Sequence, residues 1–328
     1  MDIRPFTPAD YPAVADIHNS LGIVWPERPK TADAWAEADR NRNPKLRYQR
    51  FVASVGGDVV AFATYGHNMG DYHPQRFYVN VEVSPAHQRR GVGAGLYDRL
   101  MAELQSLDPR VLRADAFANQ PQGFRFLQAR GFYEAWRETP VHLEVSSFDP
   151  RPYAGLEPHL LAKGIAVKTL RELAADPSRD AKLYDLYWDV TDDVPQEDTR
   201  IEHQPFDEWA AWALGDPTFV HDAYCIAVHG ETFVGLSEWG ADPGSDALLG
   251  GLLGVRRAFR GQGIALALQL RAIACAAANG YPLVKTCTAI QNAPMQALFN
   301  KLGFARDPEW QQCQKDLIPV PPQGSGSE

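Results

Sequence analysis

Val83-Ser84-Pro85-Ala86-His87-Gln88-Arg89-Arg90-Gly91-Val92-Gly93 carries a strand end into a basic, glycine-bearing turn. It returns 172 residues later as Val255-Arg256-Arg257-Ala258-Phe259-Arg260-Gly261-Gln262-Gly263-Ile264-Ala265. The copies align without a gap: Gly91 and Gly263, Leu96 and Leu268, and the closing pairs Gly131-Phe132 and Gly303-Phe304 keep one offset. A repeat of this size is a duplicated domain rather than a solenoid of small units. In each copy a strand precedes the turn, Phe77–Val83 with period-two alternation and Leu248–Val255, and a helix follows it. The first turn of a helix leaves backbone N–H groups unpaired, and the macrodipole adds partial positive charge there. Such a turn is a phosphate holder. Glycines at 91 and 93 remove Cβ atoms where a diphosphate would approach, while Arg89, Arg90 and Arg260 add charge at the rim. Tight strand–helix packing is the other use of such a turn; its recurrence at matching places favours the ligand.

The elements fall in the same order in each half. In the first, Asp2–Phe6 is a strand and Thr7-Pro8 opens a helix, followed by a second helix over about 31–41. A hairpin spans 51–65, strands cover 77–83 and 111–117, and helices cover 91–105 and 121–129. A strand at 139–145 closes the half. The second half repeats this from Ile165, with Pro150–Glu157 near the boundary. We therefore expect domains at 1–155 and 156–320 and a disordered tail at 321–328. The chain has no GxxxxGK[ST], so a P-loop is not expected. A dinucleotide fold fails too, because the glycine turn follows the fourth strand and an antiparallel hairpin.

Taken together, Gln88-x-x-Gly91-x-Gly93, Arg260-x-x-Gly263-x-Ala265, the Val83-Ser-Pro lead and the two closing Gly-Phe segments resemble the acyl-CoA signature of the GNAT superfamily of N-acetyltransferases. The likeness spans both halves, as in tandem members of the mycothiol synthase type, which the segment Asn292-Ala-Pro-Met295 also resembles. It implies an α/β (α+β) fold: two tandem domains, each a mixed, mostly antiparallel sheet splayed between its fourth and fifth strands, with flanking helices. It further implies that acetyl-CoA lies in the splay as co-substrate, with no metal. Its pantetheine would pair with the backbone at Val81, Val83, Leu253 and Val255. Its diphosphate would rest on the segments Gln88, Arg89, Arg90, Gly91, Val92, Gly93, Ala94 and Arg260, Gly261, Gln262, Gly263, Ile264, Ala265, with Asn292 alongside.

One element of the family pattern is missing. Where members often carry a tyrosine as general acid, this chain has Leu127 and Phe299. A general base must still take a proton from the attacking amine. Glu82, on the strand beside the expected acetyl site, and Asp115, in the next strand, are the candidates in the first copy. The second copy has Gly254 and Cys287 at those places, leaving Glu238 as its nearest strand acid. For each carboxylate the alternative is a solvated strand face. The resemblance thus implies an acetyl-CoA-dependent N-acyltransferase acting on a small-molecule primary amine. The missing tyrosines keep open a non-catalytic acyl-CoA-binding module in one or both domains, and a protein amine acetyltransferase stays open as well.

Composition bears on the partner. With 32 Lys and Arg against 41 Asp and Glu, the net charge is −9, which argues against nucleic acid. The excess sits in the second half, where Trp188-Asp189, Asp192-Asp193, Glu197-Asp198, Trp209 and Trp212 suggest a wall for a cationic amine. A solvated acidic loop beside core aromatics is the alternative. Trp25–Pro29 holds the corresponding place in the first half and is less acidic. The four cysteines (Cys225, Cys275, Cys287, Cys313) show no CxxC and read as reduced core thiols. No apolar run reaches membrane length, and Met1–Phe6 shows no signal-peptide pattern. A cytoplasmic protein without a membrane partner is expected.

Overall fold

Strand exchange between the two copies decides which residues build which sheet. The computed structural model describes residues 1–22, 30–68, 72–195, 203–241 and 246–317. The stretches at 25–29, 196–198 and 321–328 discussed above lie outside them. Met1–Arg137 and the chain from Pro308 form one compact unit, and Glu138–Asp307 forms another. The first unit contains β1 (Asp2–Pro5), α1 (Tyr11–Ser20), α2 (Ala32–Arg40), β2 (Tyr48–Val55), β3 (Asp58–Gly66), β4 (Arg76–Val83), α3 (Val92–Leu104), β5 (Val111–Phe117) and α4 (Pro121–Gln128). Strand β6 (Tyr133–Glu144) serves the first unit through Arg137 and the second from Glu138. The second unit continues with α5 (Leu156–Ala162), β7 (Ile165–Thr169), α6 (Arg179–Thr191), α7 (Phe206–Ala213), β8 (Cys225–His229), β9 (Thr232–Ala241), β10 (Ala247–Val255), α8 (Ile264–Ala278), β11 (Leu283–Ala289), α9 (Ala293–Leu302) and β12 (Ala305–Arg306). The last strand, β13 (Trp310–Asp316), belongs to the first unit.

Strand order is β1-β2-β3-β4-β5-β13-β6 in the first unit and β6-β11-β10-β9-β8-β7 in the second. The units therefore do not part at residue 155. The strand that closes the first half in sequence pairs with β11, from Leu283↔Glu144 to Ala289↔Glu138. The strand on β5 comes from the C-terminal end, from Trp310↔Phe117 to Asp316↔Val111. Pro150–Glu157 is not a plain linker either, since α5 begins within it at Leu156.

Local chemistry accounts for most element ends. Thr7 and Asp10 form a capping box with Pro8 at the first helical position. Gly56 and Gly57, at φ 65° and 99°, make the β2–β3 turn that only left-handed residues allow. Strand alternation then sorts the faces. Phe77 and Val79 of β4, and Leu112, Ala114 and Ala116 of β5, pack under α3 with Leu96, Leu100 and Cys313. The other face of this sheet meets α1, where Val14 and Ile17 cover Val52 and Phe62. Tyr78, Asn80, Glu82, Arg113 and Asp115 are thereby turned to the α1 face, and polar side chains collect there.

Candidate active site

The expected splay is present in each unit. Strands β4 and β5 pair in parallel only from Arg76↔Val111 to Tyr78↔Arg113. Their outer neighbours continue antiparallel well past that point, β3 on β4 to Ala61↔Val83 and β13 on β5 to Trp310↔Phe117. The sheet thus forks at Val79 and Ala114, and the inner edges beyond the fork present main-chain groups to the cleft instead of to each other. In the second unit β10 and β11 pair over three positions, Ala247↔Leu283 to Leu249↔Lys285.

At the mouth of each fork the turn adopts the same backbone. Arg89 and Gly91 lie at φ 60° and 84°, and Gly261 and Gly263 at 75° and 89°. Alternating left-handed residues point successive amides into one concavity, an anion nest. The first bond inside α3 is Gly95 N to Gly91 O, which leaves the amides of Val92, Gly93 and Ala94 outside the helical ladder. In α8 the same bond is Ala267 N to Gly263 O. The first motif residue has a shared duty: Gln88 Nε2 donates to Val83 O at 3.0 Å, and Arg260 Nε to Val255 O at 2.9 Å. That side chain ties the turn to the strand it leaves. Gly93 lines the cleft and also faces the sheet. A Cβ there would meet Val83 Cγ2 at 3.4 Å and Phe126 at 3.5 Å, ordinary van der Waals contact against the strand and α4. Gly91 is needed for its φ, since nothing lies within 4 Å of an added Cβ.

The first unit opens a cleft of about 720 Å³ along this fork. Val81, Glu82, Val83, Gln88, Arg89, Gly91, Gly93, Ala94 and Asp115 line it, together with His18, Asn80 and Arg125. Arg90 and Val92 sit within the turn, Arg90 exposed and Val92 in the core. Glu82 is 5% exposed and held from two sides. Asn80 Nδ2 donates to its Oε1 at 2.8 Å, and His18 Nδ1 lies 2.9 Å from its Oε2. A carboxylate there accepts, so Nδ1 of His18 carries a proton. The His18 ring meets Trp35 edge-on at 5.5 Å, which fixes its plane. Asp115 is exposed at the fork. Sequence reading missed Asn80 and His18. Asn80 was within reach, because it shares a strand face with Glu82 two residues on. His18, on another element, gave no local signal.

The second unit arranges its charges differently. Asp193 pairs with both Arg257 and Arg260 at the turn, and Arg256 pairs with Asp189 (3.0 Å) and Asp185 (2.5 Å). Asp192 meets His203 at 2.8 Å. Trp188 and Trp209 are buried in the core, and the half-exposed Trp212 donates to Gln204. The expected acidic, tryptophan-lined wall is thus aspartates already engaged by cations, over core aromatics. Val190 stands where a Cβ on Gly254 would fall, at 2.4 Å. Asn292 caps α9, accepting from Met295 N at 3.3 Å. Of the cysteines, all free, Cys225 and Cys313 are buried, Cys275 is half-buried and Cys287 is exposed. Leu127 and Phe299 are both core residues.

Glu238 is buried on β9. Tyr224 Oη donates to its Oε1 at 2.9 Å, and Leu252 N to its Oε2 at 3.1 Å, within the β10 bulge between Gly250 and Leu253. Burial pushes its carboxyl up from 4.5 to about 7, against the lowering effect of those two donors. A carboxyl raised on folding stabilises the fold while protonated. That contribution is complete below about pH 4.5 and is lost as pH rises through about 7. Melting temperature followed from pH 5 to 8 should therefore fall, by the equivalent of about 3 kcal/mol from this group. Glu238→Gln should flatten the profile; an unchanged slope in the variant would show that other groups cause it.

Among the described residues no cluster of three or more His, Cys, Asp or Glu could hold a metal ion, and no helix is long and apolar enough to cross a membrane. A family model described as the acetyltransferase (GNAT) family matches residues 12–132 and 181–304. Mycothiol acetyltransferase of Amycolatopsis mediterranei (strain U-32) is 26% identical over 275 residues, covering 79% of this chain and 81% of that protein. A GCN5-related N-acetyltransferase from Sphaerobacter thermophilus superposes with a TM-score of 0.74 at 18% identity, over 97% of this chain and 96% of that one. A tandem GNAT protein from the clavulanic acid biosynthesis pathway gives 0.72 at 20% identity, over 98% and 99%. These last two share the fold.

Proposed function

This chain belongs to the GNAT acetyltransferase family, matched over both its halves, and from that premise we propose that the first unit carries the catalysis and acetylates a small-molecule primary amine. Members of the family are acetyl-CoA-dependent N-acyltransferases, and this chain is one. The curated relative that spans most of its length is named for a small molecule, mycothiol. When bound, acetyl-CoA supplies a thioester carbonyl that accepts the amine nitrogen; the C–N bond forms, the C–S bond breaks, and the thiol is released.

The chain's own residues do the rest. The amides of Val92, Gly93 and Ala94, with Arg89 and Arg90 at the rim, hold the diphosphate. The free edge of β4 at Val81 and Val83 receives the pantetheine arm. Glu82, oriented by Asn80 and His18, takes the proton that the amine must lose, directly or through a water. No side-chain acid stands at Leu127, so the sulfur leaves as a thiolate or takes its proton from another group. The observation that carries this reading is the Asn80–Glu82–His18 cluster inside the cleft that begins at the amide nest.

For the second unit a non-catalytic role is favoured by Asp193, which pairs with both Arg257 and Arg260 at the turn and so competes with a diphosphate for them. Substituting each nest glycine separates the units. At φ 84° and 89° any side chain is strained, by about 1–2 kcal/mol. Thiol release from acetyl-CoA with a panel of primary amines should fall about 5- to 30-fold in Gly91→Val, one factor of ten per 1.4 kcal/mol lost from the binding turn. It should stay near wild type in Gly263→Val. Loss of activity in the second variant alone, with melting unchanged, would move catalysis to the other unit.

A further inference from the structure

A second cavity in the first unit, of about 470 Å³, shares Asn80 and Asp115 with the acetyl-CoA cleft. Both residues lie two positions past the last paired residues of β4 and β5, Tyr78 and Arg113, so the cavities meet at the fork. A thioester entering by one cleft and an amine entering by the other would meet between them. The walls of the second cavity have a definite polarity. Its fork end carries Asp115, and its far wall, the segment between α2 and β2, carries Arg42 and Arg47.

The two arginines are held in different ways. Arg42 gives its Nε to Asp39 at 2.9 Å and lays its guanidinium 3.4 Å from the centre of the Tyr48 ring. Arg47 is fixed at its backbone: His67 N donates to Arg47 O at 3.0 Å, and Arg47 N donates to His67 Nδ1 at 3.3 Å. Burial lowers the pKa of His67, consistent with a neutral ring accepting that bond. The Arg47 side chain is exposed and makes no ion pair among the described residues. A cation so anchored and unspent, at the opposite end of a small cavity from a carboxylate, matches a ligand with an anion at one end and an amine at the other.

We propose that this cavity is the acceptor site and that it takes a free amino acid, whose carboxylate is bound by Arg47 with Arg42 and whose amine is delivered to the fork at Asn80 and Asp115. The proposal rests on the reading of the first unit as the acetylating one. A polycation would set its distal amine against the two guanidinium groups, and like charges at that range repel. The volume lies within the range that encloses a small molecule.

The test compares L-leucine, L-methionine, L-glutamine and L-arginine, each beside its decarboxylated amine, in wild type and Arg47→Gln. Thiol release is followed, along with calorimetric binding of each compound to the CoA-loaded full chain. The wild type should prefer at least one amino acid to its amine by about 10- to 100-fold in KM, the range of one charge-assisted hydrogen-bonded contact. Arg47→Gln should erase that preference with kcat little changed, and Arg47→Lys should restore part of it. Because Arg47 is exposed, melting should not move. Amines turned over without regard to a carboxylate, with Arg47→Gln silent, would overturn the acceptor class and leave acetylation in the first unit standing. Arg47-dependent amino-acid binding without any turnover would support the carboxylate site and sink the catalytic reading. No binding of any of the four amino acids would overturn the proposal outright.

Discussion

Glu82→Gln lowers kcat by about 10²- to 10⁴-fold, the usual contribution of a positioned base, while CoA binding stays within a few-fold of wild type. The amide has the volume of the carboxylate and can still accept from Asn80, which lies 2.8 Å away. It cannot take a proton from the acceptor, and its NH2 opposes the Nδ1–H of His18 on the other side. The loss should therefore appear in kcat, and it should not appear in a CoA titration. His18→Asn tests the same cluster more gently: Glu82 remains but loses one of its two anchors, so the rate falls less. Single-turnover measurement of acetyl transfer is the decisive assay. If Glu82→Gln reacts at the wild-type rate, the base is elsewhere, and Asp115, exposed at the fork, becomes the first residue to replace.

Ending the chain at Asp307 should abolish CoA binding in the first unit, although the missing residues follow its last helix by about 180 positions. Strand β13 pairs with β5 along its whole length, and β5 has only three other paired residues on its β4 side. Cys313, fully buried, fills the core beneath α3, and the Lys315 amine lies 5.8 Å and 5.9 Å from the Tyr97 and Phe132 rings. Removing a central strand exposes this core and uncouples β5, with Asp115, from the rest of the sheet. The expected destabilisation exceeds about 4–5 kcal/mol, beyond what single substitutions usually cost. Calorimetric melting should lose the transition of the first unit. A truncated chain that melts as the full one does, and still binds CoA, would show that β13 is dispensable.

Glu82 and Cys313 also mark how far the sequence could be read. The anion nest was legible because it is local: a glycine at 91 and its counterpart at 263 permit a left-handed φ, and a helix begins directly after each. Duplication made the reading firm. Glu82 was legible as a strand residue beside that nest, and Asn80 followed from alternation. His18 was not, because its contact with Glu82 joins elements 64 residues apart. Strand β13 was missed for a different reason. Trp310-Gln-Gln-Cys-Gln-Lys-Asp316 lacks the β-branched alternation of an autonomous strand; it is extended because a slot between β5 and β6 receives it. Composition misled at Trp188, Trp209 and Asp193, since a count of aspartates and tryptophans does not say which are already spent on arginines or on the core.

The placement of β13 also orders events during synthesis. The strand that completes the first unit's sheet is made about 200 residues after the strand it pairs with. At roughly 5–20 residues per second, β5 leaves the ribosome some 10–40 s before its partner exists. Through that interval the elements of the second unit are made one after another, up to β12 just ahead of β13, while the first waits with an open edge. On the proposed assignment of catalysis to the first unit, a chain that stops short of β13 leaves β5 without its partner and should show no acetyl transfer.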